Sequence, residues 1–446
     1  MKIVVFVPGR SEWENPPAPP VPGVLESSAE VETVELGGDV DPAKAARGAD
    51  AAVLTDPFAV GPRFAKMPCP MMVNYRPLMW HAYDAQARTF FREHGMPVLP
   101  SDSEESLKDS LTALAARSRL GTEKALVFAS RAKGTKDGAG AEDVGRRLGL
   151  EMEVRDVEDL KARAAEVAEE EARDVLARWR EEAFGRVDPN LSEAHLVGVA
   201  RLYVAEKALA AAAGATALTV EEFGPFLFRD EPMPNVTYAL LKNEGILTAE
   251  EADATALATQ MVLRALTGEP NTMGNVYLAW RDAYESLDAG LIGKHRRLDS
   301  AAVYTPELER RDWEQCLAEG TTVVSHFGTA GALPHAMMEG TRYDVVETLP
   351  PWPGQSMTWS VPRMGPLVLA RLHGDGGALD VYAGEGVEVR QADRVDWHRL
   401  KWLVRMDVGA FVAEAIHHHW AIARPPRGRS LELLCEELLG LALRRF

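Results

Sequence analysis

Cysteine is scarce: the chain of 446 residues holds only Cys69, Cys316 and Cys435, odd in number and far apart. Neither a disulfide framework nor a CxxC metal site can be built from them, which fits a reducing compartment. Long apolar runs are missing too, since none approaches the ~18 residues that a membrane-spanning helix needs. The opening stretch has a short apolar run, Ile3 to Val7, stopped by Pro8 and Gly9. It reads as a first β-strand and is too short for the apolar part of a signal peptide, so the expected location is the cytoplasm. Positive charge is in deficit. With 49 Lys+Arg against 67 Asp+Glu, the formal net charge is 49 − 67 = −18. A field of that sign repels phosphate backbones and anionic lipid, which argues against nucleic acid and membrane surfaces as partners. Charge runs such as Glu169-Glu170-Glu171 fall in helical patterns and read as solvated helix faces. No internal repeat occurs, and the one biased tract is the proline-rich loop 16–22.

What is present is ordinary globular material, with 46% apolar and 26% charged residues. At roughly 150 residues per domain, the length suggests about three domains. Apolar strands at 3–7, 51–54 and 71–74 alternate with helical patterns at 82–94 and 104–120, the second capped by Ser103. A further strand at 124–129 leads through Gly134, Gly138 and Gly140 into a helix at 141–148. Those glycines lack both the GxGxxG and the GxxxxGK[ST] order, so they read as a turn between strand and helix and not as a phosphate cradle. Helices are expected at 157–184 and 192–213. After about residue 300 the texture changes to short β-rich segments at 323–326, 343–348, 357–361, 367–372 and 387–389, closed by a final helix at 430–443. The fold class expected is α/β. Two Rossmann-like, doubly wound parallel-sheet domains (1–120 and 121–295) precede a C-terminal β-rich, small barrel-like domain (296–446).

Four constellations carry possible chemistry. Glu221 and Glu222 follow the strand 216–220, at the edge of an α/β sheet where ligands bind, although two solvent-facing loop residues would look the same. Thr248 and Glu251 have the spacing of a capping box for a helix that runs to about Leu266. Asp253 then flanks the apolar stripe Leu257, Met261 and Val262, either as an exposed first-turn aspartate or as a ligand with small neighbours beside it. His417-His418-His419 lies inside apolar sequence; read as a strand, it puts His418 with Ile416, Trp420 and Ile422, and His419 with Ala415 and Ala421. His418, on the more apolar face, is then a partnered core histidine or a metal ligand. His326 ends the apolar strand Val323-Val324-Ser325.

The order of these pieces resembles the L-fucose isomerase and L-arabinose isomerase superfamily. The likeness is carried by Leu218-Thr219-Val220, Asn243-Glu244-Gly245-Ile246, Glu251-Ala252-Asp253, Leu266-Thr267-Gly268-Glu269-Pro270 and Met273-Gly274-Asn275. Ser325-His326-Phe327 and His417–Trp420 are similar to that family's later histidine strands, and Ala200-Arg201-Leu202-Tyr203 to the helix before its central strand. The likeness is good over about 190–280, intermittent to 446 and mainly architectural before 190.

The resemblance implies a site for Mn²⁺, or for Co²⁺ or Mg²⁺, held by Glu221 or Glu222, by Asp253 and by His418; which glutamate and which of the three histidines faces the ion stays open. It implies an aldose–ketose isomerase in which Glu221, Glu222 and Asp253 are the catalytic carboxylates and a proton moves between C1 and C2 through an enediol. It also implies a homotrimer or homohexamer. Arg10, Arg76, Trp80 and His326 are candidate contacts to the sugar, because such side chains hydrogen-bond to hydroxyls or stack on a ring. Two other readings use the same residues: a lyase or epimerase with related enediol chemistry, or a non-catalytic sugar-binding protein.

Overall fold

The computed structural model describes residues 1–8, 23–37, 39–55, 60–73, 81–130, 140–222, 224–226, 229, 231–277, 321–325, 333–347, 355–374, 376–391, 400–407 and 419–446. The chain divides into two compact units, Met1–Gly121 with Pro426–Ala442, and Thr122–Pro425 with Leu443–Phe446. Among the described residues no helix is long and apolar enough to cross a membrane.

The first unit is a parallel sheet with helices. Its elements are β1 (Lys2–Pro8), α1 (Gly23–Ser28), β2 (Glu30–Leu36), α2 (Pro42–Ala45), β3 (Ala51–Leu54), β4 (Met71–Val73), α3 (His81–Glu93), β5 (Val98–Leu99) and α4 (Glu104–Leu120). The strand order β2-β1-β3-β4-β5 reverses direction at β1, which is the signature of a doubly wound sheet. Apolar runs such as Ile3-Val4-Val5-Phe6 are fully buried, as strands covered on both faces must be. The expected cap of α4 is present as a reciprocal pair. Ser103 Oγ accepts from the Ser106 amide at 3.1 Å, and the Ser106 hydroxyl accepts from the Ser103 amide at 2.9 Å.

The final helix belongs to this unit and is shorter than its pattern predicts. A helical turn, α11 (Ser430–Glu432), continues as a π-helical segment, Leu433–Leu439, that stops at Gly440 in the left-handed conformation. It packs on α4, where the buried carboxylate of Asp109 accepts from the Arg429 amide at 3.0 Å.

The second unit joins three sheets. It runs β6 (Lys124–Ala129), α5 (Ala141–Leu148), β7 (Glu151–Asp156), α6 (Val157–Glu166), α7 (Glu169–Glu182), β8 (Phe184–Val187), α8 (Glu193–Ala213), β9 (Ala217–Val220), α9 (Asn235–Asn243), β10 (Leu247–Ala249) and α10 (Ala254–Thr267). Then follow β11 (Thr272–Tyr277), β12 (Thr321–Ser325), β13 (Tyr343–Glu347), β14 (Ser356–Trp359), β15 (Gly365–Leu372), β16 (Ala378–Gln391), β17 (Leu400–Arg405), β18 (His419–Ala423) and β19 (Ala442–Arg445). A parallel sheet has the order β10-β9-β6-β7, again with a reversal at its first strand. The fold class read from the sequence holds: two parallel, Rossmann-like sheets and a curled antiparallel sheet.

Two expectations about elements are corrected. The single helix at 157–184 is two, α6 and α7, because Val167 and Ala168 are extended; buried Val167 turns into the core while Glu169, Glu170 and Glu171 open a new helix at its positive end. The segments at 343–348 and 357–361 do not join the barrel-like sheet. As β13 and β14 they pair with β8 in a three-stranded sheet of their own.

The antiparallel sheet closes on itself. Its order is β15-β18-β11-β12-β17-β16-β19, and β15 also pairs with β16, so six strands make a ring. Strand β16 serves both neighbours, pairing with β15 through Gly386 and with β17 from Glu385. The crossover falls at Gly384, where a Cβ would stand 2.7 Å from Val404 Cγ1 and 3.1 Å from Leu367 Cδ1. A register shift between Gly386 and Glu388 completes the bend, as bulges do at barrel corners. Leu367, Leu369, Tyr382, Val404, Trp420 and Ile422 share the unit's large apolar core, with Tyr382 edge-on to Trp420 at 5.2 Å. Burying each aliphatic side chain of this kind is worth about 1.5–3 kcal/mol.

Candidate active site

Strand β9 stops at Val220 because the next two residues are acidic and serve different neighbours. Glu221 continues the strand for one step, its amide donating to Phe128 O at 2.8 Å, and its Oε2 accepts from the Ser130 amide at 2.7 Å. That carboxylate joins the ends of β6 and β9. Glu222 points the other way and is buried. Its Oε1 accepts from the Tyr238 hydroxyl at 2.8 Å, and its Oε2 accepts from the Glu251 amide at 2.6 Å. Burial first, and then the negative charge of Glu251, push the Glu222 carboxyl well above its ordinary pKa.

The stretch after β10 is not the helix start that the capping-box spacing predicts. Thr248 lies within β10, opposite Leu218, and the helix begins only at Ala254. Asp253 is its cap: Oδ1 accepts from the Ala256 amide at 2.8 Å and from the Thr255 hydroxyl at 3.0 Å. Aspartate outranks threonine as a cap, and three helix-compatible residues follow it. Between strand and helix, Glu251 and Ala252 both take the left-handed conformation, at φ 58° and 53°. Such backbone costs roughly 1–2 kcal/mol per non-glycine residue. It is held by the Glu222 carboxylate on the Glu251 amide, by Ala252 N donating to Val220 O at 2.9 Å and by Asp253 N donating to Glu250 O at 2.9 Å. Strain so firmly held marks functional sites more often than ordinary turns. Its effect is to hang the Glu251 side chain beside Glu222.

Asp253 is fully buried, not an exposed first-turn aspartate. Its Oδ2 takes two more donors, Arg371 Nη1 at 2.7 Å and His419 Nδ1 at 2.8 Å. Burial alone would raise this carboxyl, but the Arg371 guanidinium and His419 hold it well below the usual carboxylate range. Arg371 and His419 are themselves buried, one in β15 and the other at the start of β18. His419 Nε2, on the far side of the ring, stands 3.5 Å from Glu251 Oε1. In the barrel's backbone register His419 pairs with Asn275, and Asn275 pairs with Ser325, across β18, β11 and β12.

The sequence-derived residues thus separate. Glu222 meets the Glu251 amide and Asp253 meets His419, the histidine beside Glu251, while Glu221 serves the sheet. Arg10, Arg76, Trp80, His326 and His418 lie outside the described residues. The histidine that meets Asp253 is His419, from the face shared with Ala421 and Ala423. Apolarity favoured His418, but a partnered imidazole needs room and a carboxylate, and small neighbours leave that room. Sequence reasoning gives Glu251 only a capping role, leaves His419 as one of three open histidines, and passes over Arg371 and Tyr238. Arg371 did leave a signal, as the one charged residue in the apolar strand Leu367-Val368-Leu369-Ala370-Arg371-Leu372.

In the ligand set drawn from the sequence Asp253 and Glu221 are already engaged, and His418 lies outside the described residues. Asp253 spends both oxygens on four donors, one of them already a cation, and Glu221 faces another way. Among the described residues no three His, Cys, Asp or Glu side chains are grouped so as to hold a metal ion together. The neighbouring trio Glu222, Glu251 and His419 does have suitable donor chemistry. It offers two hard carboxylates and an imidazole whose other nitrogen is bonded to a carboxylate, the usual arrangement behind a metal-binding histidine.

No protein-family model matches the chain, and no curated protein matches it. Among solved structures, a D-lactate dehydrogenase from Treponema pallidum aligns with 60% of this chain and 98% of its own, at 15% identity and a TM-score of 0.17. The D-lactate dehydrogenase of Escherichia coli aligns with 65% of this chain and 86% of its own, at 13% identity and a TM-score of 0.15. The enzyme from Lactobacillus jensenii aligns with 60% and 94%, at 11% identity and a TM-score of 0.15. Likeness this low carries no argument about fold or activity.

Proposed function

We propose that the chain is a metal-dependent aldose–ketose isomerase whose working groups are Glu222, Glu251 and His419. One observation carries the reading: just past β9 the Glu222 carboxyl holds the Glu251 amide, and Glu251 Oε1 stands 3.5 Å from Nε2 of His419 on β18, the three backed by a strained turn and a buried ion pair. An ion of the Mn²⁺ type, with Co²⁺ or Mg²⁺ as substitutes, would have to draw these three side chains closer together, and would supply charge that polarises the C1 and C2 oxygens of an open-chain sugar.

The chain's own groups do the rest. Isomerisation moves one proton between C1 and C2 through an enediol, and a carboxylate must come within about 3 Å of those carbons. Glu222 and Glu251 are the pair for that task. The Tyr238 hydroxyl fixes one oxygen of Glu222 and the Glu251 amide the other, so the carboxyl cannot turn away. Asp253 is excluded from proton transfer because two donors occupy each of its oxygens. His419 flanks Glu251 opposite Glu222 and keeps the carboxylate in place. Arg10, Arg76, Trp80 and His326 remain the proposed contacts to the sugar, and a homotrimer or homohexamer the proposed assembly.

The test is a screen of pentoses, hexoses and deoxysugars with Mn²⁺ supplied. A ketose should form from at least one aldose, and Glu222→Gln should lower kcat by about a hundredfold or more, as for loss of an acid–base group. No turnover of any aldose with Mn²⁺, Co²⁺ or Mg²⁺ overturns the proposal.

A further inference from the structure

Asp253 is the acidic residue that the sequence pattern points to most directly, yet its surroundings give it a different task. Its carboxylate has four donors: the Ala256 amide at 2.8 Å, the Thr255 hydroxyl at 3.0 Å, Arg371 Nη1 at 2.7 Å and His419 Nδ1 at 2.8 Å. Two carboxylate oxygens offer about four lone-pair sites, so little is left for an ion or a substrate hydroxyl. The donors come from the first turn of α10, from β15 and from β18, so one side chain ties the helix to two barrel strands. A second tie runs beside it, with Leu372 N donating to Thr259 Oγ1 at 3.0 Å.

We infer that Asp253, backed by Arg371, is a positioning residue that locks the His419 ring with Nδ1–H toward itself and Nε2 toward Glu251. An imidazole has two nitrogens, and which one carries the proton is set by the partner of the other. A carboxylate only accepts, so a hydrogen bond from Nδ1 requires the proton there and leaves Nε2 as the nitrogen that meets Glu251. Arg371 Nη1, 2.7 Å from the same Asp253 oxygen, holds the carboxylate in line with the ring. The inference rests on the proposed role of Glu251 and His419, but the lock itself exists whether or not an ion binds.

The experiment therefore has two readouts on the full-length protein. In the metal-free protein, ring-¹⁵N-labelled histidine reports where the His419 proton sits. The wild type should show a hydrogen-bonded, downfield-shifted Nδ1–H, and Asp253→Asn should lose that signal, because a carboxamide can donate as well as accept. A second variant, Asp253→Asn with Arg371→Gln, removes the buried guanidinium as well and keeps the test open if the single variant fails to fold. In the second readout, titration with Mn²⁺ should give affinity lower by about 10–100-fold at unchanged stoichiometry, the scale for losing the partner of a ligating histidine. Retention of the Nδ1–H signal in both variants overturns the inference. So does complete loss of the Mn²⁺ site with the signal retained, since Asp253 would then be a ligand. A wild type that binds no Mn²⁺ counts against the proposed metal site alone, and the ring signal still decides the lock.

Discussion

Two fully buried carboxyl groups of the second unit, Asp253 and Glu206, share a solvent-free setting and nothing else. Asp253 has four donors and a guanidinium beside it, and its pKa is driven down. Glu206, on the inner face of α8, has no hydrogen-bond partner for either oxygen among the described residues. Neighbouring Thr237 does not supply one, because its hydroxyl donates to Pro234 O at 2.8 Å. Burial pushes Glu206 up to about 8. Burial alone leaves a carboxyl neutral, whereas an ionised one has to be built for. At Asp253 three elements contribute to building it, and it stands next to the candidate active site. Glu206 is left to carry a proton instead.

The sharpest way to break this comparison is to make Asp253 resemble Glu206. Arg371→Met leaves the aspartate buried beside His419 without its cation, and urea denaturation should show a loss of about 3–5 kcal/mol, the cost of breaking a buried pair. A loss below about 1 kcal/mol would mean that the guanidinium contributes little. Glu206 provides a smaller effect of opposite sign. From its ordinary 4.5 to about 8, the folded chain keeps a proton that the unfolded chain has released. Stability contributed by the protonated folded form is therefore complete below 4.5 and declines as pH rises toward 8. Glu206→Gln should flatten that decline, so the variant gains about 3 kcal/mol relative to wild type between pH 4.5 and 7. Parallel stability–pH curves for the two proteins would mean that Glu206 has a partner in solution.

Most of the frame is written locally. Ile3-Val4-Val5-Phe6, the Ser103 cap and the strand that delivers Glu221 and Glu222 all follow from runs and spacings within a dozen residues. The misread parts depend on distant chain. Val167 breaks a helix because it faces a core contributed by other elements. Thr248 and Glu251 match a capping box in sequence, but pairing with β9 claims Thr248 for a strand, and the helix then takes Asp253. Alternation favours His418 over His419 because it reveals which face is apolar, not where an aspartate 166 positions away comes to lie. Closure of the barrel through β16 rests on Gly384 meeting Val404 and Leu367, which no local pattern announces.

Glu222, Glu251 and His419 are proposed to form one working centre. Counting Mn²⁺ bound by chelator-stripped protein at equilibrium tests it most directly. One ion per chain is predicted, lost in Glu251→Gln and in His419→Gln and retained in Glu221→Gln, whose carboxylate serves the sheet. No bound ion in the wild type, or an ion indifferent to both Glu251 and His419, would contradict it.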